Sequence, residues 1–160
     1  MRSIWFVPVL LFPLALTACG GGASGGGDRV GGYVGSSVRM ECAPFARALS
    51  GVRLSGAAAD WWWQADGQYD RSAQPRVGAV LVMQRTGRLR SGHVSVVSRV
   101  ISRREILVTQ ANWVHDRITE DQPVIDVSPS NDWSMVRVWW PPSGQIGTTE
   151  YPAHGFIQSR

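Results

Sequence analysis

The chain contains no lysine: all 16 of its basic residues are arginine, set against 12 acids, for a formal net charge of +4. An excess this mild requires no nucleic-acid partner, and none is expected. It suits plain solubility, and equally contact with an anionic polymer such as a cell wall. Cysteine is scarce, with Cys19 and Cys42 alone. Beyond the N-terminus no apolar run reaches the roughly 18 residues needed to cross a bilayer, which excludes a polytopic membrane protein. Internal repeats and coiled-coil heptads are absent too. Apolar residues at 44% and charged residues at 18% exclude a disordered or supercharged chain. The 160 residues suit one domain and leave no room for two of full size.

The N-terminus carries an address. Met1-Arg2 precedes the apolar run Ile4–Leu16, interrupted by Pro8 and Pro13. A positive start, a short apolar stretch and small residues at its end describe a secretory leader, not a span. The stretch closes Leu16-Thr17-Ala18-Cys19, which resembles the lipobox of bacterial lipoproteins. That resemblance implies a signal peptide over 1–18, cleavage before Cys19 and a diacylglyceryl group on its sulfur. Several acyl chains make a durable membrane anchor. Gly20 stands where an aspartate would, by family habit, retain a lipoprotein at the inner membrane. An exported protein is expected, on the periplasmic side of the outer membrane or, in a cell without one, elsewhere on the cell envelope.

Nine of the 18 glycines fall between Gly20 and Gly35. Such a stretch cannot fold alone, because glycine loses most entropy on ordering and brings no side chain to bury. Residues 19–36 therefore read as lipidated cysteine plus tether, with a root-mean-square reach of about 20–25 Å. The remaining segment, 37–160, is the folded domain.

With Cys19 lipidated, Cys42 is a lone thiol in an oxidising compartment, where cysteines pair or disappear. Taken alone, such a thiol is more often a small buried hydrophobe than a nucleophile. Its surroundings argue otherwise. Cys42–Ser50 reads as a helix stopped by Gly51, with Phe45, Ala48 and Leu49 on its inward face. Cys42 then sits at the helix start, where unpaired N–H groups and the positive dipole end favour a thiolate and lower its pKa. Ala57–Asp66 reads as a second helix, and Gly67–Pro75 as an irregular polar loop.

Beyond Arg76 the period turns strand-like: Ala79–Met83, His93–Val100, Glu105–Thr109 and Asp132–Trp140. Helices first and strands afterward predict an α+β fold, the N-terminal helices packed on an antiparallel sheet. His93 follows Gly92, which permits close approach of another backbone, and opens a valine-rich strand. His115 and His154 lie in polar, loop-like segments and read as surface histidines. Period-2 alternation sets Gln110 and Asn112 on one strand face, where a carboxamide can hold an imidazole in one tautomer. No metal cluster is visible: His115 and Asp116 are adjacent, and Asp121 and Asp126 lack a calcium-loop pattern. No cofactor is expected.

The segments ECAPFARALSGVRLSGAAADWW, PRVGAVLVM, GHVSVVSRV and ILVTQANW resemble the CHAP domain, the cysteine, histidine-dependent amidohydrolase/peptidase of the papain-like peptidoglycan hydrolases. The resemblance covers about residues 37–140. It implies Cys42 as nucleophile, His93 as base and Asn112 as the polar residue after the histidine strand. Many members carry glutamate two positions before that asparagine, and this chain has Gln110. It also has Glu41 where glutamine is common; a nearby carboxylate opposes thiolate formation unless Arg39 or Arg47 offsets it. The expected substrate is a peptidoglycan amide, between muramic acid and L-alanine or within the stem peptide. The competing class is a non-catalytic wall-binding or scaffolding lipoprotein that keeps the fold. Core packing explains most of the eight tryptophans, and Trp62 and Trp113 are candidate groove walls for substrate. An exported hydrolase must also be kept from its own envelope, so an unidentified regulator or a closed groove is expected.

Overall fold

A computed structural model describes residues 41–159. The leader, Cys19, the tether and Arg39 lie outside the described residues. Nine residues with no capping side chain form α1 (Cys42–Ser50), which ends at Gly51 in the left-handed region, φ +76°. That region is close to free for glycine, so the predicted stop falls where the helix ends. The predicted second helix shrinks to a 3₁₀ turn, Ala58–Asp60, followed by one α-helical turn, α2 (Trp61–Gln64). Three consecutive tryptophans explain this. Trp61 is fully buried while Trp63 is 64% exposed, and bulky aromatics lose side-chain freedom against a preceding helical turn.

The rest is strand: β1 (Asp70–Ser72), β2 (Val80–Met83), β3 (His93–Ser102), β4 (Glu105–Ala111), β5 (Ile118–Asp126), β6 (Met135–Trp140), β7 (Gln145–Ile146) and β8 (Tyr151–Gln158). All pairings are antiparallel, in the order β1-β8-β2-β3-β4-β5-β6-β7. A further pairing of β8 with β6 closes strands β8-β2-β3-β4-β5-β6 into a barrel. The expectation of N-terminal helices on an antiparallel sheet therefore needs correction. The molecule is mostly strand, barrel-like, with one substantial helix laid against β3 and β4.

Alternation along the strands divides the core in two. Leu81, Met83, Val97, Ile106, Val108 and Phe156 fill the barrel, joined by Trp133. Val80, Val82, Val94 and Val96 face the other way and pack under Ala46 and Trp61. By the same period His93 and Gln110 share the inward face with Val97 and Val108, at one end of the barrel.

Gly92 holds His93 in that place. Its φ is +72°, and a Cβ there would lie 2.6 Å from the Met83 carbonyl oxygen and 2.7 Å from the Ala59 backbone nitrogen. Both obstacles are backbone, and Ala59 N–H also donates to the Ser91 carbonyl at 3.0 Å. Gly92→Ala is therefore expected to destabilise the domain by about 3 kcal/mol, from left-handed strain plus overpacking. Thermal melts should record a drop on the order of 10 °C.

Candidate active site

The site forms where the start of α1 meets the start of β3. Glu41 precedes the helix in extended conformation, and its carbonyl accepts the Phe45 N–H at 3.2 Å. Pro44 has no N–H to lose. The Cys42 and Ala43 N–H groups are helix-start donors, and both are directed at the Cys42 sulfur, as is the N–H of Val94, the residue after His93. These three dipoles favour the thiolate. Burial outweighs them: it is the largest influence on Cys42 and raises its pKa above the usual thiol value, with Glu41 adding to the rise. The lowered pKa expected from the helix start is thus overturned by desolvation. Arg47 brings no relief, since its guanidinium is turned to the Leu54 carbonyl at 3.4 Å.

Cys42 is half-buried and opens onto a groove of about 440 Å³, walled by Glu41, Pro44, Arg47, Ser55, Gly56 and Ser91. His93 lies deeper, only 3% exposed. Its Nε2 is 2.9 Å from Gln110 Oε1. An amide oxygen can only accept, so Nε2 carries the proton and Nδ1 keeps its lone pair. Desolvation lowers the His93 pKa to about 4, against a smaller upward pull from the Gln110 bond. At neutral pH both thiol and imidazole are uncharged.

Of the two carboxamides expected on the histidine, only Gln110 is there. Asn112 lies past the end of β4 with φ +60°, and its Oδ1 accepts the Asp116 N–H at 3.1 Å. The left-handed turn breaks the alternation that would have aimed it at His93. Gln110 is wholly buried, and among the described residues its Nε2 has no partner.

The two tryptophans proposed as groove walls are elsewhere. Trp62 stacks on His154 with ring centroids 5.7 Å apart, and the Arg71 guanidinium lies 5.2 Å from its ring. His154 is accordingly half-buried between Trp62 and the edge of Trp63, which corrects its reading as a surface histidine. His115 is exposed beside Asp116, as expected. Trp113 packs edge-on against His93 at 5.1 Å and against Tyr151 at 5.3 Å. Its indole N–H donates to the Trp139 carbonyl at 3.1 Å. It lines a second cleft, not the groove beside Cys42. Tyr151 was missed because YPAHGFIQ, with Pro152 and Gly155, carries turn residues where β8 in fact closes the barrel.

No curated protein matches the chain. A family model, the CHAP domain, matches residues 31–112, from before the helix that carries Cys42 to the end of the β3–β4 hairpin that carries His93 and Gln110. The match takes in half of the sequence, and the chain belongs to the CHAP domain family of peptidoglycan hydrolases.

Proposed function

We propose that this domain hydrolyses an amide bond of peptidoglycan by acyl transfer, with Cys42 as nucleophile, His93 as base and Gln110 as the residue that positions His93. The observation that supports it best is the commitment of His93 Nε2 to Gln110 at 2.9 Å, beside a cysteine whose sulfur meets the backbone N–H of the next residue, Val94. With Nε2 protonated, Nδ1 is the nitrogen free to accept the thiol proton as Sγ attacks the substrate carbonyl. The Cys42 N–H meets the developing oxyanion; one such donor is worth about 2.7–4 kcal/mol in comparable sites. The imidazolium then gives its proton to the leaving amine, and neutral His93 activates the water that releases the acyl group. Gln110 orients the ring but lends no charge to the imidazolium.

The scissile bond is either the muramic acid–L-alanine amide or one within the stem peptide. Purified sacculi digested by the protein and resolved by mass spectrometry distinguish these. Free stem peptides mean an amidase, and shortened stems still attached to glycan mean an endopeptidase. Soluble fragments no more abundant than with Cys42→Ala would overturn the hydrolase reading. They would favour the second one, a non-catalytic wall-binding lipoprotein, for which the uncharged state of both Cys42 and His93 speaks. In either case we propose export, lipidation of Cys19 and attachment to the outer membrane. Support comes from the LTAC sequence after an apolar leader, and loss of membrane association in Cys19→Ala is the check.

A further inference from the structure

The structure holds a second cleft of about 290 Å³, lined by the same Trp113 whose ring meets His93 edge-on. Three rings wall it: Trp113, Tyr151 and Trp140, the last 40% exposed. Thr148 and Thr149 bring hydroxyls, and Arg88, on the loop between β2 and β3, brings the one charge among the lining residues. Of the arginines nearby, Arg85 is paired with both carboxylate oxygens of Asp60 at 2.7 Å and Arg137 with Glu150 at 2.5 Å, while Arg90, exposed two residues further along the loop, is not among the lining residues. The Arg137 contact also occupies the acid nearest the cleft in sequence. The Arg88 guanidinium has no ion-pair or hydrogen-bond partner among the described residues.

We propose that this cleft is a binding subsite for a peptide carboxylate, the free acid group of a wall stem peptide. The guanidinium fork matches a carboxylate in geometry and charge. The aromatic walls accept the aliphatic and sugar portions that flank it. Two of the three are set before any ligand arrives, because Trp113 is held by the Trp139 carbonyl and by the edge contact with Tyr151, which limits the ordering that binding has to supply. Trp113 is a wall shared with His93, so a ligand in the cleft lies one indole away from the base. The identity of the peptide rests on the hydrolase reading above; the preference for a carboxylate rests on Arg88.

The test uses full-length protein carrying Cys42→Ala, titrated with N-acetylmuramoyl-L-alanyl-D-glutamate and with its diamide. The acid is expected to bind at least about tenfold more tightly, with the largest chemical-shift changes at the Trp113 and Trp140 indoles. Adding Arg88→Gln should erase the difference between acid and diamide, whereas Arg103→Gln, on the β3–β4 turn, should preserve it. Equal affinities, an acid preference that survives Arg88→Gln, or one equally lost in Arg103→Gln each overturn the subsite. Acid-selective binding through Arg88 by a protein whose wild type fails to digest sacculi would leave the subsite standing and remove the hydrolase reading alone.

Discussion

Cys42→Ala and His93→Ala are each expected to lower amide hydrolysis by at least about 10⁴-fold, with the double variant no slower than the slower single one. Nucleophile and base act as one unit: once the sulfur is gone no proton transfer remains to lose, and once the imidazole is gone an uncharged thiol attacks poorly. Here the second loss is especially severe. The Cys42 pKa is raised, so no standing population of thiolate survives removal of the base at neutral pH. Far-ultraviolet dichroism and thermal melts exclude unfolding as the cause, and His93→Gln provides a bulkier replacement should alanine leave too large a hole. Additive losses in the double variant would mean that the two residues do not share a step.

Asn112→Ala separates the two carboxamides. Its side chain ties the 112–116 turn to itself and does not reach the imidazole. The variant should lose about 1 kcal/mol of stability, through the left-handed position and the missing turn bond, while kcat/KM stays within about threefold. Gln110→Ala should lose about 100-fold in kcat/KM through misorientation of His93. The reverse ranking would restore Asn112 as the partner.

Local chemistry announced the first half of the site. The start and stop of α1 follow from Pro44, Phe45 and Gly51, and the valine alternation of β3 places His93 inward, with Gly92 needed for backbone approach. Two things escaped for physical reasons. Strand β5 (ITEDQPVID) has one solvated face, a proline, and Asp121 at φ +50°, accepting from the Ser98 hydroxyl at 2.7 Å; its polarity hid a strand. Strand β8 bulges opposite Val82 and Met83, so Gly155 and Pro152 read as a turn. Without β8 there is no closed barrel, no Tyr151 against Trp113, and no enclosure to desolvate His93. The sign of the Cys42 shift was illegible for the same reason. A helix start can be read from nine residues, whereas burial depends on strands far away in sequence.

That enclosure makes the protein's stability depend on His93 in a defined pH window. Unfolded histidine titrates near 6.5, whereas His93 in the folded barrel titrates at about 4. Between these values the unfolded chain binds the extra proton, so unfolding takes one up and stability falls as the pH falls. The contribution is intact above about pH 6.5 and is lost on acidification toward pH 4, by about 3 kcal/mol in all. Urea midpoints measured from pH 7 to pH 4 in wild type and His93→Gln isolate it: the difference between the two proteins should change by that amount, whatever other carboxylates contribute to both. Parallel curves would place the imidazole in contact with solvent. Catalysis should report the same group from the other side. The acid limb of kcat/KM falls near pH 4, since His93 remains a competent base down to its own pKa. Gln110→Glu should move that limb upward by at least about one unit, because a carboxylate in place of the amide stabilises the imidazolium it faces. The exchange discards an amide nitrogen that has no partner among the described residues, so the added charge, and no lost hydrogen bond, decides the outcome.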